Sequence, residues 1–209
     1  MSRATSAQRQ AILAAAIPLF AERGHRGATI RLVGRRAGVN SALIYYYFDS
    51  KAGLFAEALR HVLGGFLEHL GARRPAFRGA RARLAWLVDG IFGYYSAYPE
   101  RMRLMMVALN LHPDLFGRAL GTFLKGRRLA PLDVLAEGMQ QGDLRRAPPL
   151  ELWWSILSLC LFSLMLQPVA HHFPAQGRPA AQADLAARRE QILDLLEHGC
   201  TQHPARSTP

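Results

Sequence analysis

The chain has little of what catalytic and secreted proteins are usually built around. Only Cys160 and Cys200 are cysteine. They lie far apart without C-x-x-C spacing, so neither a zinc centre nor a disulfide framework is expected. Acidic residues number 15 against 26 Lys and Arg. No phosphate loop, nucleophile elbow, metal motif or carboxylate pair is present, which argues against an enzyme and implies no cofactor. His171-His172 has no third ligand at helical or hairpin spacing and reads as loop, so no metal is expected. Strand-like alternation and internal repeats are also missing. The most apolar uncharged segment, Leu152 to Leu166, has fifteen residues. A membrane span needs about 20 apolar residues, and this run carries three serines. It reads as a buried helix at a subunit interface, with no membrane partner. The first ten residues, MSRATSAQRQ, lack the apolar core of a signal peptide, so a cytoplasmic location is expected.

What is present points to a helical nucleic-acid binder. Half the residues are apolar, enough for a full core. The net charge is +11 and unevenly spread: residues 1–60 hold nine Lys and Arg against Glu22, Asp49 and Glu57. Basicity is thus concentrated at the N-terminal end, as phosphate binding requires.

The densest signal is TIRLVGRRAGVNSALIYYYFDSK, residues 29–51. Thr29 is a natural N-cap for a helix burying Ile30, Val33 and Ala37, and Gly38 supplies the turn. Asn40 caps a second short helix. Ile44 and Phe48, four apart, form its inward stripe, so Tyr46 and Tyr47 are expected to point outward and Tyr45 to lie between. Ser41, Ala42 and Leu43 stand at its exposed start. This is a helix-turn-helix suited to a DNA major groove. Lys51 follows in the first turn of the next helix. A cation there opposes the helix dipole by about 0.3–1 kcal/mol unless a phosphate is also bound. Thr29 and Arg31 are further phosphate or base-edge candidates. Arg35 and Arg36 fit either a DNA contact or a solvated face.

The segments Ile12-Leu13-Ala14-Ala15-Ala16, Leu19 to Gly24, Thr29-Ile30, Ala37-Gly38-Val39, Ile44-Tyr45, Tyr47-Phe48 and Ser50-Lys51 resemble, in order and spacing, the N-terminal domain of TetR-family regulators. The likeness covers roughly the first quarter to third of the chain. It implies an all-α protein with an N-terminal three-helix DNA-binding domain at 1–50, a connecting helix at about 51–71, and a helical effector-binding and dimerisation domain at 72–202. By the resemblance, Tyr45 and Tyr47 match positions that touch the DNA backbone, and Ser41, Ala42 and Leu43 match base-reading positions. The chain departs from the family's usual alanine at Gly34, its usual serine at Asn40 and its usual acidic residues at Ala52 and Gly53. The last departure predicts a weak first turn of the connecting helix.

The remaining sequence reads as helices near 6–23, 79–98, 100–110, 114–127, 131–141, 149–167 and 182–199. Thr5 to Gln8 has capping-box spacing, Pro18 predicts a kink in the first helix, 168–179 reads as loop, and the tail from His203 reads as disordered. Within the body, Trp86, Phe92, Tyr95, Met102, Met106, Phe123, Met139 and Trp153 are candidates for an apolar or amphipathic effector pocket. Ile156, Leu159 and Leu164 are expected to meet Leu185, Ile192 and Leu196 across a homodimer two-fold. The function expected is a repressor that binds a palindromic operator as a dimer and is released by a small effector. The alternative is a DNA-binding regulator whose body binds a protein partner.

Overall fold

A computed structural model describes residues 3–72, 74–172 and 185–201. The Thr5, His171 and His172 side chains, residues 173–179 of the expected loop and the tail from His203 lie outside the described residues. Within them the chain forms α1 (Arg3–Gly27), α2 (Ile30–Ala37), α3 (Ser41–Phe48), α4 (Lys51–Gly71), α5 (Gly79–Ala97), α6 (Pro99–Leu111), α7 (Pro113–Leu124), α8 (Ala130–Gln140), α9 (Pro149–Leu166) and α10 (Leu185–Cys200), with a short 3-10 segment at Gln167–His172. No strand occurs among the described residues.

Two expectations about punctuation are revised. The prolines at 99 and 113 were expected to end helices; they open α6 and α7. A proline at the first position loses nothing, because that amide has no partner within the helix. In α1 the backbone departs from helical dihedrals at Gly24 (φ 64°, ψ 178°), and Pro18 sits inside the helix. Glycine tolerates that positive φ, so the change of direction falls there.

The chain divides into two compact units. The first comprises residues up to Phe66 together with Tyr98–Arg127, so α6 and α7 join the helix-turn-helix although they follow α5 in sequence. Its core is continuous from Ile12, Ala16 and Phe20 on α1 through Ile30, Val33, Ile44 and Phe48 to Leu54 and Phe55 on α4 and Leu104 and Ala108 on α6. The sequence-based division at 50 and 72 followed chain order, whereas α6 packs along α1.

The second unit comprises Leu67–Ala97 and the chain from Arg128 onward. Leu84, Leu87, Val88 and Ile91 of α5 are fully buried, and α8, α9 and α10 pack around that helix. Arg83, 2% exposed, is the buried charged residue here. Its Nε donates to the Asp143 carboxylate at 2.9 Å, and its guanidinium also donates to Gln141 and lies 5.2 Å from the Phe77 ring centre. One of its nitrogens, Nη1, is buried without a partner.

The residues of the expected interface lie in this unit. Ile156, Leu164, Ile192 and Leu196 are at most 6% exposed within the protomer, and Leu159 and Leu185 are half-buried. These residues are occupied where α9 and α10 pack on α5 and on each other. The exposed apolar residues of the two helices are instead Leu150, Trp154, Phe162, Met165 and Leu195. The segment Pro149–Val169 is long and apolar enough to cross a membrane by length and composition, and 22% of its apolar window is buried in the protomer. The candidate pocket residues divide between the units: Trp86, Phe92, Tyr95, Met139 and Trp153 belong to the second, Met102, Met106 and Phe123 to the first.

Candidate nucleic-acid interface

Local hydrogen bonding explains why residues 29–51 fold as they do. The Thr29 hydroxyl accepts from the Leu32 amide at 3.2 Å, capping α2. At the other end Gly38 takes a left-handed conformation (φ 68°), and its amide returns to the Gly34 carbonyl. Gly34 is buried, and a Cβ there would stand 2.7 Å from the Val39 carbonyl oxygen. A side chain at this position would require that carbonyl to shift. The Asn40 side chain then accepts from the Leu43 amide at 2.8 Å, starting α3.

Around α3, Ile44 and Phe48 are buried as their spacing requires. Tyr46 opposes them and is 76% exposed; Tyr45 is 48% exposed. Tyr47 is half-buried, and its hydroxyl donates to Gln8 of α1 at 3.1 Å. The expected pair of outward tyrosines, Tyr46 and Tyr47, is therefore replaced by Tyr45 and Tyr46. Tyr45 and Tyr47 sit symmetrically about the inward stripe at 100° per residue. Only the position of α1 on one flank decides between them, and helical period carries no such information.

Ala42 is exposed, with Ser41 and Leu43 half-exposed beside it. A groove of about 640 Å³ runs along this end of α3, lined by Gln8, Gly38, Val39, Asn40, Ala42, Leu43 and Tyr46. Small side chains on the helix start let its backbone approach a base edge, while the tyrosine hydroxyls can reach phosphates. Thr29 and Arg31 are exposed at the start of α2.

The junction into α4 is tightly made. Asp49 holds φ 59°, the one non-glycine residue with positive φ among the described residues. The Ser50 hydroxyl accepts from the Gly53 amide at 3.0 Å. Ser50 thus caps the helix directly, and the weak first turn inferred from Ala52 and Gly53 is corrected. Gly53 itself cannot carry a side chain without rearrangement, since a Cβ would fall 2.2 Å from the Phe48 carbonyl oxygen.

Lys51 is half-buried, its Nζ lying 3.5 Å from the Arg26 carbonyl oxygen at the end of α1. Beneath it lies a cluster that sequence reading did not single out. The His25 ring sits 5.2 Å from Phe55 and 5.4 Å from His112, and its Nε2 is buried without a partner. Burial, then the charges of Lys51 and His112, push its pKa down, favouring a neutral ring. On the opposite side of α4, Glu57 is bonded by Arg9 of α1 and by Arg60, the latter at 2.8 Å through Nε. Burial acts to raise its pKa, but hydrogen bonds from Arg9 and Arg60 and their charges outweigh it and hold the carboxyl below its ordinary value.

An open recognition helix, a capped turn and a lysine at the next helix start define a DNA-binding regulator. Comparison with known proteins narrows the class. The family described as bacterial regulatory proteins, tetR family, matches residues 12–58. The chain is 31% identical over 158 residues to the HTH-type transcriptional repressor NicS of Pseudomonas putida, covering 74% of each protein. It is 40% identical over 76 residues to the HTH-type transcriptional regulator RutR of Escherichia coli, covering 36% of each. The transcriptional regulator FadR of Bacillus subtilis, solved in complex with stearoyl-CoA, shares the fold at a TM-score of 0.74 and 20% identity, over 91% of this chain and 98% of that one. The chain belongs to the TetR family of bacterial transcription regulators. Its relatives regulate transcription, and it is a regulator, not an enzyme.

Proposed function

We propose that this regulator is a cytoplasmic homodimeric repressor that binds an imperfectly palindromic operator and releases it when a small apolar or amphipathic effector binds. Residues 1–50 read DNA, α4 links them to the body, and 72–202 sense and dimerise. The observation that carries the reading is the outward face of α3: Ala42, Tyr45 and Tyr46 stay uncovered in a protein whose other large aromatics are mostly packed. Ser41, Ala42 and Leu43 read bases; Thr29, Arg31, Tyr45, Tyr46 and Lys51 hold phosphates. Tyr47 contributes by bracing α3 against Gln8 and, through its oxygen, at the groove edge.

Support for the dimer comes from Leu150, Trp154, Phe162, Met165 and Leu195, apolar side chains left exposed on α9 and α10. A second copy of the chain covers them best, since a two-fold presents the same stripe from both sides. For the effector, Trp86, Phe92, Tyr95, Met139 and Trp153 supply apolar and adaptable walls within one unit. A protein of the same fold was solved with stearoyl-CoA, itself amphipathic.

Fluorescence anisotropy on promoter DNA across a salt series tests the DNA reading. Several phosphate contacts per protomer give a log–log slope of several units. An affinity that ignores salt sinks it. Light scattering on Phe162→Glu tests the interface. The variant is expected to be monomeric and to lose operator binding, whereas a variant that stays dimeric places the interface elsewhere.

A further inference from the structure

The DNA contacts expected from sequence lie at α2, α3 and the start of α4, and none lies on α1. Gln8 of α1 is nevertheless exposed on the same groove as Asn40, Ala42, Leu43 and Tyr46 at the start of α3. Its amide is engaged on one side alone. The oxygen accepts from the Tyr47 hydroxyl at 3.1 Å, while the nitrogen carries two N–H donors. Those donors have no partner among the described residues.

The chemistry of the groove matches a strand of DNA. Val39, Ala42 and Leu43 line it with apolar atoms that suit a deoxyribose, and Tyr46 brings a hydroxyl. The positive end of the α3 dipole opens there, and none of the described lining residues is acidic. Phosphate oxygens accept hydrogen bonds and donate none, so they complement the unused side of the Gln8 amide. Holding α1 in place does not fall to Gln8. Arg9 beside it bonds Glu57 of α4 and lies over the Phe48 ring, its guanidinium carbon 5.3 Å from the centre.

We propose that Gln8 is a DNA-backbone contact: its NH2 group donates to a phosphate oxygen of the strand crossing this groove, while its oxygen, held by Tyr47, sets the plane of the amide. The inference rests on α3 being the recognition helix, and it makes α1 a further element that touches DNA. Being neutral, Gln8 fixes the position of the strand without displacing a counterion, unlike Lys51. Tyr47, turned away from the outward pair of tyrosines, then acts on DNA through Gln8.

Fluorescence anisotropy on promoter DNA and on random-sequence DNA of equal length tests this with Gln8→Ala, Gln8→Glu and, as a charge control, Gln10→Glu. Gln10 is exposed and lies about 200° round α1 from Gln8. Both positions being exposed, melting temperatures are expected to stay at the wild-type value. Gln8→Ala is expected to weaken binding to both DNAs by about tenfold at an unchanged salt slope, since a neutral donor to a charged group is lost. Gln8→Glu keeps an acceptor for Tyr47 but sets a carboxylate against the phosphate, so it should bind more weakly than Gln8→Ala. Gln10→Glu should lose less than either. Gln8→Glu binding as tightly as wild type would reduce Gln8 to a brace and overturn the proposal. Equal losses in the two Glu variants would do the same by assigning the effect to net charge. So would a Gln8→Ala loss confined to promoter DNA, which marks a base contact. Wild-type protein that binds neither DNA sinks the recognition-helix reading as well, whereas wild-type binding that all three variants leave unchanged removes this contact alone.

Discussion

Lys51 combines two constraints that rarely coincide on one residue. It opens a 21-residue helix, where a cation is disfavoured, and its Nζ is held 3.5 Å from the Arg26 carbonyl oxygen. A bound phosphate reverses the first penalty and finds the ammonium already placed. Lys51→Ala is therefore expected to weaken binding to every DNA sequence alike and to lower the salt slope by about one per protomer. An altered base preference at constant slope would show the lysine reads sequence instead. The glycines of the same helix separate by what surrounds them. A Cβ on Gly64 would meet only the Phe123 ring, at 3.7 Å, an ordinary contact. Gly64→Ala should raise stability by about 0.5–1 kcal/mol through helix propensity alone. Gly53→Ala gains the same propensity but meets the Phe48 carbonyl, so it should lower the melting temperature. Chemical denaturation of the two variants side by side checks the opposite signs.

At the level of helices, buried charge sets the clearest expectations. Asp143 faces the 2%-exposed Arg83. Removing it strands a cation inside the second unit, which costs about 3–5 kcal/mol; Asp143 keeps some solvent contact, so Asp143→Ala should fall at the low end. Urea denaturation reads this out, and a change under about 1 kcal/mol, well below that range, would mean water already neutralises the site. Around α4 the expectation concerns pH. The lowered pKa of His25 means that its neutral ring contributes stability fully above the unfolded value of 6.5 and loses it as pH falls from there toward the folded value. Glu57, also lowered, contributes above 4.5 and loses its share as pH falls through its own folded value. Melting temperature against pH should thus decline in two steps on acidification. His25→Gln should erase the upper step, and a wild-type curve flat from about pH 7 to 5 would remove His25 from the account. Sequence reading found most of these helices because caps and glycine turns are local: Thr29, Gly38 and Asn40 act on amides within a few residues. It missed the His25–His112 pair and left the exposure of Tyr45 undecided because both depend on which distant helix lies alongside.

On the scale of the whole chain, the same contrast holds. Family membership was legible in a stretch of roughly fifty residues whose spacing is fixed by helix geometry. The grouping of α6 and α7 with the head was not, since α5 intervenes and nothing local marks the return. Which face of α9 the protomer covers itself was not legible for a related reason: the helix is apolar nearly all round. One helix, α4, belongs to both units, with the boundary falling between Phe66 and Leu67 just after Gly64-Gly65. Treated as a beam, its 21 residues span about 30 Å. A tilt of about 5° at one end then carries the other through roughly 2–3 Å, the whole working range of a hydrogen bond. How much of such a stroke arrives at Lys51 depends on bending stiffness where the two glycines sit, and a softer joint there delivers less of it.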